Sequence, residues 1–355
     1  MGIEQSGKEG KSGVAKRRRG QPYLQSAAAR TNSAYEVAQL TDEEAHKLFC
    51  DVRWADAGGE PYCPGCGCLA VYRHKKPDGT RPIFTCQACL KQFSATSGTI
   101  FHGRKMPIKK ILFGIMTFVD GAKGEAALQL GRLFRGQHKT CFVMLHKLRE
   151  ALGIETDARM AEGVVEIDGA NFGGYVKPEN LVKDRVNRSL KENQSGKRRS
   201  VVVMRERGGR TLPFVVRHES QGAKTVRERV KPGSTIHADE APWWNDVEYD
   251  DRFETKRINH DKDGYSFEGA CTNSAEGFFS RLRRSEIGIH HHIAGPYLDA
   301  YAKEMAWRED ARRIPNGTQF KLVVQAAATH PKSKRWSGYW QRRAAGTAAP
   351  PPPGA

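Results

Sequence analysis

Two short cysteine pairs constrain this chain more than any other feature. Cys63-Pro64-Gly65-Cys66 and Cys86-Gln87-Ala88-Cys89 are C-x2-C knuckles with nineteen residues between them. A knuckle of this length brings two thiolates to one side of an ion, and two knuckles complete a tetrahedron, the pattern of a structural Zn2+ site. Four thiolates leave no open coordination position, so such a site serves folding rather than catalysis. The residues between suit a hairpin, with Leu69-Ala70-Val71-Tyr72 and Pro82-Ile83-Phe84-Thr85 as strands and Pro77-Asp78-Gly79 as the turn. No thioredoxin-like βαβ pattern surrounds either pair, which argues against a redox role. Cys68 is a further thiol that could stand in for Cys66, so the ligand set reads Cys63, Cys66 or Cys68, Cys86 and Cys89.

Around this ribbon the chain has room for two or three domains: 355 residues, 38% of them hydrophobic, can bury a core of real size. A formal net charge of +18 makes a polyanion the expected partner, because phosphates neutralised by Lys and Arg release condensed counterions. Nucleic acid comes first. The longest apolar run, Ile111 to Val119, falls short of the roughly 20 residues that a membrane span needs. The first residues lack an apolar segment and contain Lys16-Arg17-Arg18-Arg19, so the expected location is cytoplasmic and nucleoid-associated.

In order, residues 1–35 read as a disordered basic arm, rich in Gly, Ser, Lys and Arg without periodicity. Residues 36–105 hold an N-terminal helix and the ribbon, with Val37, Leu40, Ala45, Leu48 and Phe49 near helical spacing and Thr41 or Asp42 as cap. Residues 106–160 read as a helix-turn-helix DNA-binding region. Pro107 starts an apolar helix to Gly121, and a later break near Arg135-Gly136-Gln137 separates two more helical runs. Cys141, Leu145, Leu148 and Leu152 form one buried stripe, which leaves Gln137, His138, Lys139, Thr140, Val143 and Lys147 outward as a DNA-reading surface. Any helical hairpin with a glycine in its turn gives the same pattern.

Residues 161–315 carry the acids. The β-branched run Val164-Val165-Glu166-Ile167 delivers Asp168 at its end and then breaks into glycines. Residues 199–205 and 211–217 form a hairpin about Gly208-Gly209, residues 224–230 a short helix, and Ser234 to Asp239 a strand that again ends on an acid. A strand over 251–259, the helical stretch Thr272 to Arg283 and a closing helix over 296–312 follow. Strand, strand, strand, helix, strand, strand, helix is the order of an α/β, RNase H-like mixed sheet with flanking helices, here preceded by a zinc ribbon and a helix-turn-helix. Residues 316–355 read as a largely disordered C-terminal tail, ending in Ala, Gly and Pro. Hard cations take carboxylate oxygens, and two Mg2+ or Mn2+ ions can activate an oxygen nucleophile and stabilise a leaving 3′ oxygen, so Asp168 and Asp239 are assigned as metal ligands.

Asp168 with Phe172-Gly173-Gly174, Asp239, Asn259-His260, Thr272-Asn273-Ser274-Ala275-Glu276-Gly277-Phe278 and His291-His292 resemble the DDE transposases of bacterial insertion sequences. The group is the ISXO type, with a zinc ribbon and helix-turn-helix ahead of the RNase H-like domain. Gly98-Thr99-Ile100-Phe101-His102 and Lys123-Gly124 with Ala127-Leu128-Gln129-Leu130 match the same pattern, and the resemblance covers roughly residues 40–310. It implies a transposase that binds terminal inverted repeats in double-stranded DNA, cleaves element ends and transfers strands, acting as a homo-oligomer. It also implies that Asn273 or Glu276 completes the metal site and that Arg283 is the basic residue following on the helix. Two departures stand out: Gly169, where an acid is common in the family, and Cys271, where a histidine often precedes Thr-Asn. A catalytically silent, transposase-derived DNA-binding regulator is the alternative; absence of metal-dependent nicking would favour it.

Overall fold

The computed structural model describes residues 22–74, 82–174, 178–187, 190–193, 195–258 and 271–344. Thr41 opens the first long helix through a capping box: its hydroxyl accepts from the Glu44 amide at 3.1 Å, and the Glu44 carboxylate accepts from the Thr41 amide at 2.7 Å. The amphipathic stretch is thereby divided at Leu40 into α1 (Ala34–Gln39) and α2 (Asp42–Arg53). Next come β1 (Val71–His74), β2 (Ile83–Cys86) and β3 (Gln92–Ser94), an antiparallel sheet in that order. The third strand had not been expected; it brings Phe93 within 5.4 Å, centroid to centroid, of Phe84. The turn at 77–79 lies outside the described residues.

Three helices follow, α3 (Ile108–Asp120), α4 (Ala127–Phe134) and α5 (His138–Ala158). They share one apolar core with α2 and the ribbon, containing Phe49, Trp54, Phe84, Ile115 and Leu148. Cys141, Leu145 and Leu148 are buried on one stripe of α5, with Leu152 packed at its edge. No helix among the described residues is long and apolar enough to cross a membrane.

Beyond α5 stands a five-stranded mixed sheet in the order β6-β5-β4-β7-β8, built from β4 (Val164–Phe172), β5 (Arg199–Glu206), β6 (Thr211–Val216), β7 (Thr235–Asp239) and β8 (Glu254–Ile258). The first three strands pair antiparallel; β7 joins β4, and β8 joins β7, in parallel. Between them run α6 (Gly222–Arg229) and α7 (Asn245–Glu248), and after them α8 (Asn273–Ser285) and α9 (Gly295–Asp310). Because strand side chains alternate between faces, Val165, Ile167, Ile236 and Ala238 pack with α6 and α7, whereas Ala170 and Phe172 pack with Phe278, Phe279 and Leu282 of α8.

Both ends of the chain differ from expectation. The stretch read as a disordered tail contains α10 (Asn316–Thr329) and α11 (Tyr339–Ala344). Phe320, Val323, Val324 and Ala327 recur at helical spacing and are buried in the same core as α2, α3 and α5. The basic arm is likewise structured from Pro22: the Thr31 and Asn32 amides donate to the Asn316 side-chain oxygen at 2.8 and 3.1 Å, and the Asn316 side-chain amide donates to the Asn32 carbonyl at 2.8 Å. Each end has the other as its partner, which composition alone does not reveal. Residues 1–21 and 345–355 lie outside the described residues.

Candidate carboxylate site and cysteine metal centre

The two knuckles are built alike. In the first, the Gly67 amide donates to the Cys63 carbonyl at 2.9 Å; in the second, the Leu90 amide donates to the Cys86 carbonyl at 3.0 Å. Gly67 and Leu90, each one residue past its knuckle, take left-handed φ values of 73° and 58°. The ligand atoms of Cys63, Cys66, Cys86 and Cys89 all lie within 4.8 Å of one another, with Sγ–Sγ separations of 3.7 Å for Cys63–Cys89 and 3.5 Å for Cys66–Cys86. Zn–S bonds of about 2.3 Å in a tetrahedron require sulfurs about 3.8 Å apart, so the cluster has zinc dimensions. Hydrogen bonding from the Cys89 amide brings the Cys86 thiol down to about 6, which favours the thiolate a metal needs. Cys68 stands outside the group, its Sγ 3.6 Å from the Ala70 carbonyl.

On the large sheet, Val164, Val165 and Glu166 of β4 are register partners of Thr235, Ile236 and His237 of β7. The pairing ends there, and Asp168 and Asp239 each follow two residues further along these adjacent strands. Side-chain alternation puts Asp168 on the face covered by α8, together with Ala170 and Phe172. Burial pushes the Asp168 carboxyl up to about 7; the Gly169 amide, donating at 2.7 Å, opposes the rise, and the charges of Asp239, Glu219 and Glu276 add to it. Glu219 is raised in turn by burial and by Asp239, against a hydrogen bond from Trp243. Four acids therefore share one electrostatic neighbourhood. All offer hard oxygen donors and their negative charges crowd one another, but among the described residues only the four cysteines bring their ligand atoms within 4.8 Å of one another.

The helix side of the site is held by a residue the sequence reading passed over. Glu166, 1% exposed, accepts from the Ser274 amide at 2.8 Å, the Ala275 amide at 3.3 Å and the Ser274 hydroxyl at 3.2 Å, with Arg207 Nε at 3.3 Å. A carboxylate on the first amides of α8 also meets the positive end of the helix dipole. Two residues before Asp168 on one strand, Glu166 shares its face, so an acid interrupting a β-branched run was its signal. Asn273 is the first residue of α8, and Glu276, which accepts from the Thr272 hydroxyl at 3.3 Å, comes one turn later. Arg283 lies two turns further, its guanidinium 5.7 Å from the centre of the Phe172 ring. Glu219 carries no such pattern signal. His290 packs against Tyr301 at 4.5 Å, and burial takes it down to about 4. Trp244 is fully buried.

Gln137 precedes α5 and His138, Lys139 and Thr140 form its first turn, all exposed. Lys147 departs from the outward position expected of it: it is half-buried, and burial lowers its ammonium from the ordinary value. The C-terminal segment packs on the same helix. Trp340 Nε1 donates to the Lys139 carbonyl at 3.2 Å and its ring lies 5.3 Å from the Lys139 ammonium. An open groove of about 780 Å3 remains, lined by Gln137, Lys139, Thr140, Lys147, Arg104 and Lys332 among others.

Residues 160–310 match the family model of the ISXO2-like transposase domain, and residues 40–92 match that of the transposase zinc-ribbon domain. No curated protein and no solved structure matches the chain. The first match contains Asp168, Asp239, Asn273, Glu276 and Arg283, and the second contains all four clustered cysteines. The chain thus carries an ISXO2-like transposase domain, its mixed sheet in RNase H-like order, behind a transposase zinc-ribbon domain with four clustered cysteines.

Proposed function

We propose that this transposase binds the terminal inverted repeats of its own element, cleaves the DNA ends in a metal-dependent reaction, and joins the freed 3′ hydroxyl to target DNA. The observation that carries the reading is the convergence on the buried Asp168 of the Asp239 charge from the neighbouring strand and the Glu276 charge from α8. Two Mg2+ or Mn2+ ions, when bound, supply an oxygen nucleophile at neutral pH and stabilise the leaving oxygen. Asp168 and Asp239 would hold them. Glu276 or Asn273, one helical turn apart, completes the set, and the charge that Glu276 places near Asp168 favours Glu276. Arg283, laid along Phe172, is the cation placed to meet a phosphate beside the acids. Glu166 fixes the start of α8 and so the direction from which Glu276 approaches.

Residues 36–105 and 106–160 would recognise the ends, and residues 161–315 would perform the chemistry. In that division α4 and α5 are a helix-turn-helix. Gln137, His138, Lys139 and Thr140 would contact DNA from the exposed first turn of α5, and Lys147 would face the phosphate backbone from within the basic groove. Holding two element ends at once calls for a homo-oligomer in the active complex. The reaction belongs in the cytoplasm, on the nucleoid.

The test is cleavage of labelled element-end duplex by purified protein with Mg2+ or Mn2+. Wild type is expected to cut and join, and Asp168→Ala and Asp239→Ala to retain end binding while losing both activities. Binding by wild type without cutting or joining, under either metal, would instead mark a silent DNA-binding regulator.

A further inference from the structure

The basic groove beside α5 is not made by that helix alone. Its lining also takes in residues 101–106, which leave the ribbon, and, from the far end of the chain, Lys332 and residues 336–341. These last belong to the stretch whose composition reads as a disordered tail. They are pinned along their length. Pro331 forms a bridge with Thr99, the Ser333 hydroxyl donates to the Glu150 carboxylate at 2.6 Å, and Trp336 stacks on the fully buried His146 with ring centres 4.3 Å apart. Trp340 then closes on Lys139, donating to its carbonyl and lying under its ammonium. The wall is therefore built into the fold.

Arg104, Lys105, Lys139, Lys147 and Lys332 all line the groove, and no aspartate or glutamate does. Like charges gathered in this way repel: Lys332 adds to the fall that burial imposes on the Lys147 ammonium, against the pull of Glu150. An anion in the groove relieves that repulsion, and an uncharged ligand does not. The groove also adjoins the exposed turn from Gln137 to Thr140, so a duplex read by that turn would run its backbone past the C-terminal wall. We infer that the C-terminal segment is part of the DNA interface, with Lys332 holding a backbone phosphate in the groove it shares with Lys147, and Trp340 steadying Lys139. The inference rests on the DNA-binding role proposed above for α5 and adds to it an element from the opposite end of the chain. Phosphate contacts position a duplex and carry no sequence information, so Lys332 strengthens binding to any duplex alike.

The experiment is a fluorescence-anisotropy titration of the zinc-loaded full chain against a labelled element-end duplex and a labelled duplex of unrelated sequence, over a series of salt concentrations and without Mg2+ or Mn2+. Wild type is compared with Lys332→Ala, Lys332→Arg, Lys334→Ala and Lys139→Ala, with circular dichroism and zinc content checking the fold. Lys334 is the internal control, exposed and two residues from Lys332 but outside the groove lining. For Lys332→Ala the expected result is a loss of about fivefold at physiological ionic strength, the same for both duplexes, and a slope of log affinity on log salt shallower by about one. Lys332→Arg and Lys334→Ala should keep the wild-type slope. Wild-type affinity and slope in Lys332→Ala would overturn the role of the C-terminal segment, and weakened binding by Lys139→Ala beside it would leave the reading of α5 standing. Equal losses in Lys332→Ala and Lys334→Ala would also overturn that role, since net charge alone would then account for them. Failure of wild type to bind either duplex would overturn both.

Discussion

Leu90 shows most simply how one residue bears the demands of a site. The two knuckles need the same left-handed residue after their second cysteine, and the first has Gly67 there while the second has Leu90, three-quarters exposed. A side chain in that conformation costs about 1–2 kcal/mol, and exposure means little apolar burial offsets it. Leu90→Gly is therefore expected to stabilise the zinc-loaded protein by roughly 0.5–1 kcal/mol after the extra backbone entropy of glycine is subtracted, read by chemical denaturation with excess zinc. A destabilised variant would show that the Leu90 side chain makes contacts that matter. The same C-x2-C spacing was legible in the sequence because ligand geometry fixes it. The place of Glu219 among the acids was not, because it packs against Gly169, fifty positions earlier, and nothing local signals the pairing.

Between elements, buried charge joins the helices around α5 to the sheet domain. Glu304 on α9 lies between Arg149 of α5 at 2.5 Å and Arg308 at 2.8 Å, all three buried, and those cations bring its carboxyl down to about 2 despite complete burial. Glu125, before α4, faces the same group: burial pushes it up to about 7, Glu304 adds to the rise, and Arg308 and Arg149 oppose it. An acid raised in the folded state favours folding at pH below its unfolded value near 4.3 and loses that advantage as pH climbs through its folded value. Wild-type stability should thus decline between pH 4.5 and 8 by an increment on the order of 1–3 kcal/mol that Glu125→Gln lacks. Thermal melts of the two proteins across that range check it. Parallel curves would mean that Glu125 stays ionised in the fold. Elements themselves were readable where periodicity or caps are strong: Thr41 with Glu44, the stripe on α5, the strand ending at Asp239; β4, expected to end at Asp168, runs on through it to Phe172. The third ribbon strand is too short to give a pattern.

At the scale of the molecule, the N-terminal helices and ribbon are completed by the far end of the chain. Phe320 is 1% exposed in a core with Phe49, Ile115 and Leu148. Emptying a site of that size costs about 3–5 kcal/mol, so Phe320→Ala should unfold the ribbon and helices at a lower denaturant concentration; unchanged stability would place α10 outside the core. The alanine and proline content near the terminus hid this helix, because low hydrophobic density was read as disorder although four apolar positions keep helical spacing. The strand order and the acids carried by β4 and β7 were open to reading, since a buried sheet writes its pattern densely. How the two ends of the chain meet at Asn316 was not, because that contact spans nearly the whole sequence.

The most direct measurement is a crystal structure of the zinc-loaded protein grown or soaked with Mn2+, with data collected at the manganese edge. Anomalous peaks are expected among the carboxylates of Asp168, Asp239 and Glu276, apart from zinc at the four cysteines. Ordered carboxylates with no manganese there, at concentrations that support cleavage of element ends, would contradict the metal-dependent site.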